Sequence, residues 1–187
     1  DLSVSRGLGD VYKRQRNTQY ELLPDEGDTC LYLGAGHGTS ISHLHDHVCG
    51  ANNEKGGRII AVDLSPRCLR DLVHLSTLRP GLVPVLGDAR KHAAWGIMVA
   101  NKVDWLLQDV SQAGQADIFI KAVKRFLKPG GKGLLSLKAA SERFSEGGER
   151  EVFKQVRLQL EDAGLNIEEQ IDLHGLEDNH CLYYVTN

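Results

Sequence analysis

The sequence predicts a doubly wound α/β domain, a Rossmann-like seven-stranded sheet with helices on both faces. Three observations carry this. From Thr29 onward, short apolar runs rich in β-branched residues alternate with longer amphipathic stretches. A glycine-rich turn follows the first run, and the last two runs succeed each other with no helical stretch between them. Alternation argues for parallel strands joined by helical crossovers, and the uninterrupted final pair argues for an antiparallel close. The expected strand order is 3-2-1-4-5-7-6, with the last strand antiparallel.

Taken in order, Cys30–Leu33 reads as the first strand, and a helix follows from about Thr39 to Val48. The second strand is Arg58–Val62. Ser65 and Pro66 then make a fitting N-cap and first-turn pair for a helix reaching about Thr77. Leu82–Leu86 is the third strand, Ala93 to Val99 a short helix, and Val103–Gln108 the fourth strand. The helix Ala113 to Leu127 stops at Lys128-Pro129-Gly130-Gly131, a proline and glycine stop signal. The fifth strand is Gly133–Leu137, and the helix from about Glu149 to Ala163 ends at Gly164. Asn166–Leu173 and Cys181–Thr186 form the closing pair.

The 187 residues, 41% hydrophobic and 25% charged, suit a single domain with a substantial core. A net charge of -3 and a pI near 6.2 exclude coating of nucleic acid by bulk charge, so any RNA affinity is local or shared with a partner. Cys30, Cys49, Cys68 and Cys181 are widely spaced without a C-x-x-C pair, as expected of reduced thiols in the cytosol. No apolar run approaches the roughly 20 residues that a helical membrane span needs.

Residues 1–15 (DLSVSRGLGDVYKRQ) lack apolar periodicity and read as a non-native tail ahead of a domain at 16–187. One back-translation of Asp10–Gln15 resembles a transposon end used in sequencing libraries, which points to read-through onto a truncated gene. A natural frayed terminus is the alternative.

Chemistry concentrates at the turns. Gly34-Ala35-Gly36-His37-Gly38-Thr39 follows a strand and opens a helix, where glycine lets backbone amides approach a ligand closely. A dinucleotide loop wants G-x-G-x-x-G; here the third glycine comes one residue early, which favours S-adenosyl-L-methionine over a nicotinamide cofactor. Asp63 ends the second strand, where an acid can accept hydrogen bonds from ribose hydroxyls. Asp88 with Ala89 follows the third strand, placed to meet an adenine amino group; a helix N-cap is the alternative for Asp88.

Asp109 ends the fourth strand, Lys138 the fifth, and His180 precedes the antiparallel last one. The topology brings all three to one edge of the sheet, and they are the catalytic candidates. Moving a methyl from a sulfonium to a weak oxygen nucleophile needs alignment and the handling of one proton. Lys138 fits either as general base or as a fixed positive charge. A nearby carboxylate favours the charged form, which leaves His180 as a rival base.

These motifs resemble the fibrillarin family. The likeness lies in Leu31 to His43, Asp63-Leu64-Ser65 with Arg67 and Arg70-Asp71-Leu72, Asp88-Ala89-Arg90, Asp109-Val110-Ser111-Gln112, Ser136-Leu137-Lys138-Ala139 and Asp178-Asn179-His180, and spans about Tyr20 to Val185. It implies the seven-stranded methyltransferase fold and guide-directed 2′-O-methylation of ribose in rRNA, and in tRNA, within a box C/D ribonucleoprotein. Implied cofactor contacts are Gly34, Ala35, Gly36, Thr39, Ser40, Asp63, Leu64, Asp88, Ala89, Asp109, Val110, Ser111 and Gln112; the implied catalytic group is Asp109, Lys138 and His180. Implied partners are a Nop5-type scaffold, an L7Ae-like protein, a box C/D guide RNA and the target RNA, with no membrane. The expected location is the cytoplasm for an archaeal chain and the nucleolus for a eukaryotic one.

Asp63-Leu64 stands where the family usually has Glu-Phe, Gly36-His37 replaces a commoner small pair, and the family's first catalytic lysine has no counterpart here; Lys13 does not take its place. Two rival readings are a nicotinamide-dependent oxidoreductase and a noncatalytic assembly subunit that keeps the fold. Lys121, Lys124, Arg125 and Lys128, spaced as one helix face, are RNA-binding candidates or a solvated stripe. His43 and His47 have metal-pair spacing but no Glu or Cys at ligand spacing beside them, and methyl transfer needs no metal, so no metal site is assigned. Trp95 and Trp105 read as core or partner contacts.

Overall fold

The computed structural model describes residues 18–142, 148–172 and 180–187. Seven strands form one sheet: β1 (Thr29–Leu33), β2 (Arg58–Asp63), β3 (Leu82–Leu86), β4 (Val103–Gln108), β5 (Leu127–Lys138), β6 (Asn166–Asp172) and β7 (His180–Thr186). Their order is β3-β2-β1-β4-β5-β7-β6, as the sequence predicts. Pairing is parallel from β3 to β5, and β7 runs antiparallel to both β5 and β6. The helices are α1 (Thr39–Val48), α2 (Pro66–Ser76), α3 (His92–Trp95), α4 (Gln115–Phe126) and α5 (Gly148–Asp162).

Alternation along each buried strand sends side chains into two cores. One, around Leu31, Leu33, Val62, Leu106 and Leu135, packs beneath α3, α4 and α5. The other, around Tyr32, Ala61, Trp105 and Leu107, packs beneath α1 and α2. Among the described residues, no helix covers β5 and β7 on that second face. The segment before β1 fills the place: Leu22 and Leu23 are buried there, and the Trp105 indole N–H donates to the Leu22 carbonyl at 2.9 Å. Both tryptophans belong to the core, Trp105 being fully buried and Trp95 nearly so.

Most element bounds agree with the sequence to within a residue or two. The exception is β5, which begins at Leu127 rather than Gly133. Leu127 is fully buried and pairs with Val103 of β4, and the ladder resumes at Lys132 opposite Trp105 after a shift of register. Pro129, Gly130 and Gly131 therefore bulge within a strand instead of forming a free turn. This shortens α4, so Lys128 leaves the helical stripe expected to hold it. The short helix starts at His92 and tightens into a 3₁₀ turn at Gly96–Met98. Among the described residues no helix is long and apolar enough to cross a membrane. The tail at 1–15, Lys13, Leu173, Asp178 and Asn179 lie outside the described residues.

Candidate active site

The carboxyl edges of β1, β2, β3 and β4 open onto a cleft of about 260 Å³. After β1, the amides of Gly34 and Ala35 donate to the Val62 carbonyl at 2.9 and 3.2 Å, folding the chain back across β2. Gly34 has φ 86°, and a Cβ there would lie 2.0 Å from the Asp109 carbonyl oxygen. Only glycine fits, and its absence of a side chain lets the turns after β1 and β4 touch. Gly36, also left-handed at φ 58°, has open space where a side chain would stand.

Asp63 organises this turn. Its Oδ2 accepts from the Gly36 amide and its Oδ1 from the Ser65 amide, both at 2.8 Å. Each oxygen keeps a further lone pair, so the carboxylate that fixes the loop still faces the cleft as an acceptor. Beside it Leu64 is 54% exposed, a large apolar side chain left open along the cleft wall.

Asp88 has an internal partner. Arg90 grips it through Nε at 3.0 Å to Oδ1 and through a terminal nitrogen at 2.7 Å to Oδ2, while the Arg90 amide donates to Oδ1 at 2.9 Å. Hydrogen bonding to the Arg90 guanidinium holds the carboxyl down at about 2, against the opposing effect of desolvation. The N-cap of α3 is Lys91, so Asp88 stabilises a turn rather than capping that helix.

Beside the Asp109 end of the cleft stands a charged pair. Lys138 Nζ lies 3.0 Å from Asp109 Oδ1 and donates to Ser111 Oγ at 3.3 Å. His180 pairs directly with Lys138 across the antiparallel β5–β7 ladder, so both side chains project from the same face. The edge that the sequence assigns to Asp109, Lys138 and His180 is thus the edge on which they meet.

Lys138 is held by a residue the sequence reading missed. Gln115, fully buried at the start of α4, accepts from the Lys138 amide at 3.0 Å and donates to its carbonyl at 2.9 Å. Glu142 in turn accepts from the amides of Gly114 and Gln115 at 3.0 and 2.8 Å, supplying the cap that α4 lacks locally. Gln115 acts through main chain on a strand 23 residues away, so no motif announces it.

Of the expected cofactor contacts, Gly34, Asp63, Leu64, Ala89, Asp109, Val110, Ser111 and Gln112 line the cleft, joined by Val62 and Gly87. Gly36 reaches it through the bond to Asp63. Ala35 and Ser40 are buried. Thr39 lines a neighbouring hollow between α1 and α2, and Asp88 is not among the cleft-lining residues and pairs with Arg90. The basic residues sit elsewhere: α4 runs antiparallel to the strands, so its last turn approaches the opposite sheet edge, where Lys128 pairs with Asp104 at 2.5 Å. Lys121 pairs with Asp117, and Arg125 lies over the Phe126 ring. His45 and His47 each bond a main-chain carbonyl, of Pro80 and Pro24.

A seven-stranded sheet in this order, with a glycine turn after β1 and acids after β2, β3 and β4, defines the class of adenosylmethionine-dependent methyltransferases. The family model described as Fibrillarin matches residues 17–187. A Thermococcus gammatolerans protein named fibrillarin-like rRNA/tRNA 2′-O-methyltransferase is 40% identical over 159 residues, 85% of this chain and 67% of the relative. The Methanocaldococcus jannaschii protein of the same name is 35% identical, covering 87% and 68%. Among solved structures, Aeropyrum pernix fibrillarin with natively bound S-adenosyl-L-methionine superposes with a TM-score of 0.79 at 33% identity, covering 95% of this chain and 74% of that one. A fibrillarin/Nop5p complex gives a TM-score of 0.77 at 29% identity, covering 92% and 78%. The chain belongs to the fibrillarin family and spans about two thirds of the length of these curated relatives.

Proposed function

We propose that the chain methylates ribose 2′-hydroxyls of rRNA, and of tRNA, as the catalytic subunit of a box C/D ribonucleoprotein. The observation that carries this reading is the Lys138–Asp109 ion pair, with His180 opposite Lys138 on β7 and with Asp109 lining the same cleft as Gly34 of the glycine turn. The residues suit S-adenosyl-L-methionine. Open space before Gly36 admits a ligand against the backbone, Asp63 offers acceptors for ribose hydroxyls, and exposed Leu64 offers an apolar wall for a base. Bound there, the cofactor supplies an electrophilic methyl on a sulfonium.

The chain's own residues account for the rest. Asp109 pairs with Lys138 at 3.0 Å and fixes its ammonium beside the cleft, where a fixed positive charge stabilises the alkoxide character developing on a ribose oxygen. His180, on the neighbouring strand, is the acceptor for the hydroxyl proton. Position relative to the substrate comes from partners: a Nop5-type scaffold, an L7Ae-like protein and the guide RNA that selects the target. Lys121, Lys124, Arg125 and Lys128 would meet phosphates remote from the cleft, through a partner-bound RNA. The setting is the cytoplasm of an archaeal cell, or the nucleolus of a eukaryotic one.

Single-turnover methylation in a particle reconstituted with scaffold, L7Ae-like protein, guide and target tests the proposal. Transfer to the guide-selected 2′-hydroxyl is expected. Tight adenosylhomocysteine binding without transfer would instead favour a noncatalytic assembly role, and binding of NAD in its place would favour an oxidoreductase.

A further inference from the structure

Outside the cleft, a cysteine, a histidine and a carboxylate stand in line. His37 Nδ1 lies 2.7 Å from Asp71 Oδ2, and His37 Nε2 lies 3.6 Å from Cys68 Sγ. With its Nδ1 proton donated to the carboxylate, a neutral imidazole presents Nε2 as an acceptor to the thiol. Arg70 also contacts Asp71, and hydrogen bonding, chiefly from His37, holds that carboxyl below the usual range. Cys68 differs from the other three cysteines: Cys30, Cys49 and Cys181 are buried, whereas Cys68 is partly exposed at the start of α2. Beside the group lies a hollow of about 450 Å³ between α1 and α2, lined by His37, Thr39, His43, Asp71 and His74. Nucleophile, base and orienting acid, beside room for a small polar molecule, are the parts of a thiol-exchange centre.

The group also touches the cofactor turn. His37 lies between Gly36, whose amide is bound to Asp63, and Gly38, where a Cβ would come within 2.9 Å of Leu75 on α2. The glycine turn is thus wedged against the helix that carries Cys68 and Asp71.

We propose that Cys68, His37 and Asp71 form a site for low-molecular-weight disulfides, and that the mixed disulfide formed on Cys68 weakens cofactor binding in the adjoining cleft. In the exchange, His37 Nε2 takes the Cys68 proton and the thiolate attacks one sulfur of the disulfide. A new bond joins Cys68 Sγ to that sulfur, the old sulfur–sulfur bond breaks, and the departing thiolate takes the proton back from His37. One protein thiol is oxidised and one half of the disulfide is reduced. Asp71 is a positioning residue that fixes the imidazole. The coupling to cofactor binding rests on the adenosylmethionine reading of the cleft; the exchange itself does not.

The test treats the full chain with oxidised glutathione, follows adduct formation by intact mass and peptide mapping, and measures adenosylhomocysteine binding before and after. A single adduct at Cys68 is expected, formed at least about tenfold more slowly in His37→Asn. Asp71→Asn should also be slow and Asp71→Glu should recover most of the rate, a pattern that mere loss of structure would not give. The adduct should weaken adenosylhomocysteine binding by at least about fivefold, while Cys68→Ser should bind normally and ignore the treatment. An unchanged rate in His37→Asn, or labelling spread over all four cysteines, overturns the site. Normal binding by the adduct overturns the coupling alone, and failure of the untreated chain to bind adenosylhomocysteine removes the coupling together with the cofactor reading.

Discussion

The two halves of the cleft are built differently. On the side proposed for the nucleoside, at the carboxyl ends of β1, β2 and β3, the polar groups are satisfied within a few residues of themselves or across one strand: Asp63 by the amides of Gly36 and Ser65, Asp88 by Arg90. On the transfer side, Asp109, Lys138 and His180 come from three strands and meet only because β7 inserts antiparallel beside β5. The first half is a preformed cradle whose shape hardly depends on distant parts of the chain. The second depends on the register of the whole sheet, and on Gln115 and Glu142 bracing it from α4 and the turn after β5. Affinity and turnover should therefore respond to different substitutions.

The largest separation should come at Lys138. Lys138→Ala removes the ammonium from the transfer side without touching the cradle, so single-turnover methylation should fall by at least about a hundredfold. Adenosylhomocysteine affinity, measured by titration calorimetry, should stay within about threefold of the parent. Undiminished turnover would reject both roles proposed for the lysine.

Gln115→Leu tests whether the brace matters. It strips the Lys138 amide and carbonyl of buried partners, which should destabilise the fold by about 2 kcal/mol in urea unfolding. Turnover should fall with it while cofactor affinity holds, because Lys138 loses its fixed position. A variant equally stable and equally fast would show that Lys138 is held by its Asp109 pair alone.

What was legible in the sequence follows the same division. Periodicity and punctuation place β3, β4 and α1 because each is decided locally, and the glycine spacing marks the cradle because the loop's conformation is written in its own residues. The start of β5 was not legible. Pro129, Gly130 and Gly131 read as a stop, yet pairing of buried Leu127 with Val103 overrides that local signal. The convergence of Asp109, Lys138 and His180 was readable only through the topology. Gln115 was not readable at all, since a buried amide serving main-chain groups has no characteristic spacing. In the stripe from Lys121 to Lys128 the charges are exposed as the spacing suggests, but α4 ends at Phe126, and Lys128 lies on β5 paired with Asp104.

Asp63→Ala probes the cradle from its centre. Losing the acceptor for two amides loosens the glycine turn and removes the ribose partner, so adenosylhomocysteine affinity should fall by about tenfold or more. Turnover at saturating cofactor should change far less. An equal loss in both would mean that the two halves are not separable.

The smallest effect belongs to Asp88 and Arg90. Because the carboxyl is held at about 2 in the fold against an ordinary 3.8, the pair stabilises the folded state at pH values above about 4, and that contribution fades as pH falls through 2. Arg90→Ala should let the Asp88 carboxyl rise toward its ordinary value, read by NMR titration of its side-chain carbon. The unfolding free energies of parent and variant should differ near neutral pH and converge in acid. The difference should be modest, since Arg90 is 57% exposed and its pair is screened by solvent. Turnover at saturating cofactor should not change, because the Asp88 side chain is engaged by Arg90, outside the cleft lining and apart from Asp109 and Lys138. A loss of turnover without loss of affinity would tie the two halves together through the turn after β3, a path that the hydrogen bonds from Arg90 do not provide.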